Sequence, residues 1–192
     1  MQQLWGEKMT KLLVKLFIKN SENTSDPEIR QKYGFLSGFV GIVMNLILFT
    51  GKIIAGLITA SISIVADAFN NLSDAGSSII TLVGFKMAGR PADREHPYGH
   101  GRIEYVSGFI VSIVIMLMGF ELGKSSFEKI FSPEEITFNW LSFGILIGSI
   151  LIKLWLCFFN RKLGGMINSA PMKAAAMDSL SDVAATSAVI IG

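Results

Sequence analysis

The sequence predicts an all-α integral membrane protein, and its composition and apolar runs support this fold class. Of the 192 residues, 51% are hydrophobic and only 17% are charged, and the mean hydropathy is +0.51. Uncharged runs long enough for a bilayer core lie at 33–51, 53–66, 105–120 and 136–152. The formal net charge of +2 leaves no basic excess for binding nucleic acid. A soluble domain and a nucleic-acid partner are therefore disfavoured.

Five membrane-spanning helices are predicted along the chain. They lie at about 33–59, 62–87, 105–127, 136–160 and 171–192. The first two are joined by a short uncharged turn and should form a tight hairpin. The fifth begins with Ser169 as an N-cap and Pro171 in its first turn, where the missing N–H of proline costs nothing. Residues 33–192 are thus expected to form one transmembrane domain.

Residues 1–32 are predicted to be a cytoplasmic amphipathic helix followed by a linker. Apolar side chains line one face of the helix and lysines the other: Trp5, Met9, Leu12, Leu13, Leu16 and Phe17 against Lys8, Lys11, Lys15 and Lys19. This pattern is typical of a helix that lies in the membrane interface. The polar stretch 20–32, which contains Pro27, is expected to be the linker.

The distribution of Lys and Arg predicts the orientation. These residues are concentrated before the first span and in the loops after the second and fourth spans. On the other side, the 59–63 turn is uncharged and acids offset the lysines of the 124–135 loop. The N-terminus is therefore predicted to be cytoplasmic. Five spans would leave Gly192 outside without an anchor, so we expect a fragment that lacks at least one further span.

Two of the predicted spans contain pairs of oxygen-bearing side chains. Asn70 and Asp74 lie one turn apart in the second span, and Asp178 and Asp182 lie one turn apart in the fifth. An ionisable group in a bilayer costs at least about 2.5 to 3.5 kcal/mol, so it must face a partner, water or an ion. The two matched pairs can face each other across a helix interface. They predict a divalent-cation site in the bundle core.

Two lysines in the apolar runs offer an alternative explanation of these aspartates. Each Asp could instead hydrogen-bond to a neighbouring helix or pair with Lys52 or Lys153. Both lysines lie near predicted span ends, however, and are expected to extend toward the interface. The spacing of the two pairs favours the cation site.

The donor atoms limit the choice of metal. Three carboxylates and one carboxamide supply hard oxygen ligands, which suit Mn²⁺, Mg²⁺ or Ca²⁺ without excluding Fe²⁺ or Zn²⁺. The single cysteine, Cys157, excludes an intrachain disulfide and a thiolate zinc site.

A second candidate metal site lies in the polar loop 91–104, PADREHPYGHGRIE, which is predicted to be cytoplasmic. Asp93, His96 and His100 have the identity and spacing of metal ligands, in a loop that proline and glycine make tight. The alternative is an ordered turn in which the histidines bond to backbone carbonyls.

These motifs resemble the cation diffusion facilitator family of divalent-metal/proton antiporters over residues 33–192. The residues that carry the resemblance are Asn70-Asn-Leu-Ser-Asp74-Ala-Gly, Arg90-Pro-Ala-Asp93-x-Glu-His96-Pro-Tyr-Gly-His100-Gly-Arg102-x-Glu104 and Asp178-x-x-x-Asp182. The resemblance implies six spans with both ends cytoplasmic, a cytoplasmic metal-binding domain after the sixth, and a homodimer. The sixth span and that domain are expected to be missing from this sequence.

The resemblance also implies functional roles. Asn70, Asp74, Asp178 and Asp182 would form the transport site, and Asp93, His96 and His100 would form a loop site. Zinc-selective members usually have a histidine at one transport position, whereas this sequence is similar to the manganese-exporting branch. The expected substrate is Mn²⁺, with Zn²⁺, Fe²⁺, Co²⁺ or Cd²⁺ as alternatives. Protons are the expected counter-ion, and the cell membrane is the expected location.

The predicted activity is secondary transport and not enzyme catalysis. Exporting a divalent cation against an inside-negative potential costs about 4.6 kcal/mol per 100 mV, so a driving ion is needed. Crowded carboxylates repel one another, so a metal-free cluster should take up protons and metal binding should expel them. Proton-coupled antiport by alternating access follows. A passive divalent-cation channel and a metal-responsive membrane scaffold remain as alternatives.

Overall fold

A computed structural model describes residues 10, 12–18, 22, 24, 26–59, 62–131 and 140–191, and helices make up most of this part of the chain. The five long helices are α1 Pro27–Thr59, α2 Ile62–Ala88, α3 Ile103–Phe131, α4 Trp140–Met166 and α5 Ala170–Ile191. The all-α fold class is therefore confirmed. The positions of the helices follow the predicted spans closely, and no proline interrupts any of them beyond its first turn.

Three helical segments are apolar and long enough to cross a membrane: Pro27–Thr59, Ile103–Glu121 and Phe143–Met166. Helices α2 and α5, which carry the acidic residues, do not meet that criterion within the described residues. The polarity of the bundle also fits a membrane, since Leu57 and Phe120 are exposed while Asn71 and Lys153 are buried. The protein is therefore a helical membrane protein, and the crossing by all five helices stays a prediction.

Two helix boundaries differ from the sequence predictions by six residues each, and α3 continues four residues past its predicted end, to Phe131. Helix α1 begins at Pro27, so the predicted linker is wrong for residues 27–32. Proline suits a first helical position, and Asp26 Oδ1 caps the helix by accepting a 2.8 Å hydrogen bond from the Glu28 N–H. Helix α4 continues past the predicted end at 160 to Met166, because Leu163 in this last part is fully buried in the core.

The start of α5 at Ala170 agrees with the prediction, but the predicted cap does not form. The Ser169 hydroxyl is buried and has no hydrogen-bond partner among the described residues. At the end of α4, the Ser169 N–H instead donates to the Gly164 carbonyl at 2.9 Å, with Asn168 at a positive φ of 48°.

Helices α1 and α2 pack antiparallel at close range, as the predicted hairpin requires. A Cβ added at Gly34 would lie 2.0 Å from Phe85 Cγ, and one added at Gly38 would lie 2.7 Å from Leu82 Cβ. The two helices can approach each other this closely only because glycine has no side chain at these positions. The 60–61 turn itself lies outside the described residues. Helix α5 packs mainly on α4 and α3.

An apolar cluster closes one end of the bundle. It contains buried side chains from α1, α2 and α4, with Met172 of α5: Tyr33, Leu36, Phe85, Phe159, Leu163 and Met172. At the same end, the Arg30 guanidinium pairs with Glu104 at 2.9 Å and also donates to the Ile167 carbonyl. These contacts tie the ends of α1, α3 and α4 together. Polar side chains lie in the middle of the bundle.

The N-terminal segment is helical at 12–17. Leu12, Leu16 and Phe17 are exposed, whereas Val14 and Ile18 are buried in the apolar cluster. The remaining side chains of the predicted amphipathic pattern that lie at 5, 8, 9, 11 and 19 are outside the described residues. Its position in the membrane interface stays a prediction.

Candidate metal centre

A cluster of three carboxylates lies in the interior of the bundle, between α2 and α5. One oxygen from each of Asp74, Asp178 and Asp182 lies within 4.8 Å of the others. Asp74 is almost fully buried, and Asp178 and Asp182 are partly buried. Three oxygen ligands at this spacing could converge on a single cation. We call these three residues the acid cluster.

Asn70 joins the acid cluster from α2. Its Nδ2 donates a 3.3 Å hydrogen bond to Asp182 Oδ1. The structure therefore brings together the four side chains of the predicted transport site. The spacing of one helical turn within each pair places both members on the same helix face, so a single interface between α2 and α5 can collect all of them.

Lys153 of α4 contacts the acid cluster. Its Nζ is 2.5 Å from Asp74 Oδ2 and 2.5 Å from Asp182 Oδ2, and the side chain is only 4% exposed. The expectation that Lys153 extends to the interface is wrong, because it stands at the centre of a helix that runs from Trp140 to Met166. The alternative explanation of the aspartates thus holds for two of them, although they also cluster with Asp178.

Lys52 makes a separate ion pair. Its Nζ lies 2.7 Å from Asp67 Oδ2, and its side chain is 4% exposed, so the interfacial expectation is wrong for this lysine as well. Asp67 lies on α2 one turn before Asn71, whose Nδ2 donates to the Asp67 carbonyl at 2.9 Å. Two buried lysines therefore neutralise different aspartates. Only Lys153 contacts the acid cluster.

The acid cluster and Lys153 together carry a net negative charge. Three ionised carboxylates and one ammonium give a formal charge of −3 + 1 = −2. Asp74 Oδ1 is buried and has no hydrogen-bond partner among the residues that the structure describes. A buried carboxylate oxygen without a donor is unfavourable, so it is available to a metal ion or a proton.

Two small clefts adjoin the acid cluster. One is lined by Asn70, Lys153 and Asp182 from the cluster region and also by Lys52, Asp67, Asn71, Ser149 and Thr186. The other is lined by Asp74 and Asp178 and by Asn45, Ser77, Ser78, Asn160 and Ser179. We call them the Lys52 cleft and the Asn45 cleft. The positions of these residues along α1 and α2 place the Lys52 cleft nearer the α1–α2 turn.

The loop between α2 and α3 brings its three candidate ligands together. Asp93 Oδ1 lies 3.3 Å from His96 Nδ1, and Asp93 Oδ2 lies 3.5 Å from His100 Nε2. Single ligand atoms of Asp93, His96 and His100 lie within 4.8 Å of one another. Gly99 turns the chain with a positive φ of 79°, which glycine adopts readily.

The same loop is also an ordered turn. Asp93 Oδ1 accepts the backbone N–H of His96 at 2.6 Å and that of Glu95 at 3.0 Å. The bond from His96 lowers the pKa of Asp93 below its ordinary value. His100 Nδ1 lies 3.2 Å from the Pro91 carbonyl, which leaves Nε2 facing Asp93. Both explanations of the motif are thus compatible, since the turn orients the three side chains.

Pairing of the aspartates with Lys153 was only the alternative prediction, although the sequence carries a signal that favours it. Lys153 is the only charged residue between 136 and 160. A lone ammonium flanked by more than ten uncharged residues on one side is costly in lipid, which favours burial against an acid.

The helical bundle defines a membrane protein, and its buried carboxylates lie close enough together to hold a cation. The chain belongs to the cation efflux family, since its residues 38–192 match the cation efflux transmembrane domain. The membership that the motifs indicated is therefore confirmed. This is a family of transporters and not of enzymes.

Similar proteins come from archaea and bacteria. The uncharacterized transporter MJ0449 of Methanocaldococcus jannaschii is 35% identical over 153 residues, which cover 80% of this chain and 54% of that protein. The manganese efflux system proteins MneS and MneP of Bacillus subtilis are each 31% identical, over 84% and 80% of this chain and 56% and 51% of their own length. The chain thus spans about half the length of these relatives.

Proposed function

We propose that this chain forms the metal pathway of a proton-coupled exporter of divalent cations, with Mn²⁺ as the preferred substrate. The observation that carries the proposal is the acid cluster: oxygens of Asp74, Asp178 and Asp182 lie within 4.8 Å of one another, and Asp182 accepts a hydrogen bond from Asn70. Asn70 and the three aspartates would bind the ion. The proposed location is the cell membrane, and the proposed assembly is a homodimer.

The charge of the acid cluster supports exchange between a metal ion and protons. With Lys153 present, its formal charge of −2 is balanced by one divalent cation or by two protons. Binding of one divalent cation or of two protons makes the acid cluster and Lys153 neutral together. A low-dielectric environment favours this neutral state. Binding of the metal would therefore release protons, and binding of protons would release the metal.

The two clefts support alternating access to this site. Asn70 and Asp182 line the Lys52 cleft, whereas Asp74 and Asp178 line the Asn45 cleft. A small movement of α5 against α2 would open one cleft while closing the other. With all five helices crossing the membrane and the N-terminus in the cytoplasm, the Asn45 cleft faces inward. The 89–102 loop, with Asp93, His96 and His100, then lies on the side from which metal enters.

The ligand set supports a hard cation. Carboxylate and amide oxygens suit Mn²⁺, and the acid cluster contains no imidazole or thiolate that would favour Zn²⁺. Two similar proteins are named as manganese efflux system proteins. A Zn²⁺ or Fe²⁺ exporter of the same family is the alternative.

Reconstitution into liposomes with an internal pH indicator tests this proposal. We expect Mn²⁺ uptake coupled to proton movement in the opposite direction, with smaller rates for Zn²⁺, Fe²⁺, Co²⁺ and Cd²⁺. Asp178→Asn is the control and should abolish both fluxes. Metal flux that follows only the metal gradient, with no proton movement, would indicate a channel. Binding without flux would indicate a scaffold.

A further inference from the structure

We propose that Lys153 is a tethered counter-cation of the acid cluster. Its ammonium occupies the space between Asp74 and Asp182 when no metal is bound, and it moves to Asn71 and Ser149 in the Lys52 cleft when metal binds. This inference rests on the proposed function, because it assumes that the acid cluster is the metal site.

The contact distances require the ammonium to move. Nζ of Lys153 lies 2.5 Å from one oxygen of Asp74 and 2.5 Å from one oxygen of Asp182. A Mn²⁺ ion that these two oxygens bind must approach each of them at roughly 2.0 to 2.6 Å, as oxygen-bound hard divalent cations do. The metal and the ammonium would therefore have to occupy the same position between Asp74 and Asp182. They also repel each other strongly in a poorly solvated site.

The Lys52 cleft offers the ammonium a second position. Lys153, Asn71 and Ser149 all line this cleft. Asn71 Oδ1 and Ser149 Oγ are buried and have no hydrogen-bond partner within the described ranges. Ser149 lies one turn before Lys153 on the same face of α4. The lysine can therefore exchange two charged acceptors for two neutral ones without leaving the bundle.

This arrangement sets both the affinity and the charge of the site. The metal must displace an ammonium before it binds, so affinity is lower than the three carboxylates alone would give. Because the ammonium stays nearby, the loaded site is neutral with a divalent ion. Lys153 is then a positioning and charge-setting residue that need not touch the metal.

Mn²⁺ affinity of the purified chain in lipid nanodiscs, measured by titration calorimetry at constant pH, tests the inference. Lys153→Met should bind Mn²⁺ at least about tenfold more tightly, since it removes a competing unit charge. Lys153→Arg keeps the charge and should stay within about threefold of the parent chain. The comparison variant Lys52→Met removes the other buried lysine, whose partner is Asp67 and not a residue of the acid cluster, and should strengthen binding less than Lys153→Met does. Unchanged or weaker binding by folded Lys153→Met overturns the proposal.

A double substitution tests the second position of the Lys153 ammonium, at Asn71 and Ser149, and leaves the acid cluster unchanged. Asn71→Leu combined with Ser149→Ala removes both acceptors, and it should weaken Mn²⁺ binding by at least about threefold. This experiment is decisive even where Lys153→Met does not fold. An unchanged affinity in this double variant contradicts movement of Lys153 into the cleft.

Asp178→Asn separates this inference from the proposed function. Asp178 belongs to the acid cluster but does not pair with Lys153 among the described contacts. If Asp178→Asn leaves Mn²⁺ binding unchanged, the acid cluster is not the metal site, and both proposals fail. If it weakens binding while Lys153→Met does not strengthen it, only the role of Lys153 is wrong.

Discussion

Asn70 Nδ2 donates a hydrogen bond of 3.3 Å to Asp182 Oδ1 and so connects α2 to α5 at the acid cluster. The carboxylate can only accept, so the amide nitrogen faces Asp182 and the amide oxygen remains for another partner. Asn70 is the neutral member of the four predicted ligands. Its substitution changes donor chemistry without removing a charge.

Asn70→His should raise the rate of Zn²⁺ transport relative to Mn²⁺. Imidazole nitrogen is a ligand that Zn²⁺ uses readily, whereas a hard octahedral ion gains less from it. Paired uptake assays with the two metals measure the ratio. Asn70→Asp is the control, because it adds a negative charge and should strengthen binding of both metals. An unchanged ratio in active Asn70→His would remove Asn70 from the ligand set.

Single alanine substitutions of Asp74, Asp178 and Asp182 should each abolish transport of both metals, but they should differ in stability. Asp74→Ala breaks a buried ion pair with Lys153, which typically costs about 3 to 5 kcal/mol. Asp178→Ala removes a carboxylate that has no described ion pair and should lower the Tm less. Transport and thermal unfolding measured on the same preparations check both expectations. Equal losses of Tm would argue against the described pairing of Lys153.

His96→Ala should remove metal binding in the loop while binding at the acid cluster persists. The substitution deletes one of three ligand atoms that lie within 4.8 Å of one another. Binding stoichiometry for Mn²⁺ and Zn²⁺ measures the effect, with Asp178→Asn as the complementary variant that should spare the loop. A stoichiometry unchanged by His96→Ala would support the ordered turn without metal.

The loop turn should withstand mild acid and open only in strong acid. Hydrogen bonding lowers the pKa of Asp93 in the folded loop. The ionised carboxylate therefore stabilises the turn fully above the ordinary aspartate pKa of about 4. This stabilisation is lost as the pH falls through the lower pKa of the folded loop. Amide hydrogen exchange at Glu95 and His96 measures the order of the turn. Loss of amide protection at these residues well above pH 4 would contradict the stabilisation of the turn by ionised Asp93. Asp93→Ala should remove the protection at every pH.

Cysteines introduced at Ser61 and Ala92 should react with an impermeant thiol reagent from opposite sides of the membrane. The positive charge of the 86–102 segment predicts that Ala92 is cytoplasmic and that the 59–63 turn is external. Native Cys157 is buried, and Cys157→Ser gives a clean background. Labelling of both positions from outside intact cells would reverse the proposed orientation.

The sequence by itself determined the helices and the residues that could bind metal. Long apolar runs place α1, α3 and α4, because each run depends only on neighbours along the chain. The spacing of Asn70 with Asp74 and of Asp178 with Asp182 defines two helix faces by the period of the α-helix alone. The loop motif likewise joins Asp93 to His96 and His100 through a short local turn.

Only the tertiary structure decided which charges pair. Lys52 and Lys153 are both buried lysines, yet the first contacts Asp67 and the second contacts Asp74 and Asp182. That choice depends on how α1 and α4 pack against α2 and α5, and the periodicity of a single helix carries no information about it. The extension of α1 to Pro27 and of α4 to Met166 also depends on packing between helices, because their end residues are stabilised by contacts distant in sequence.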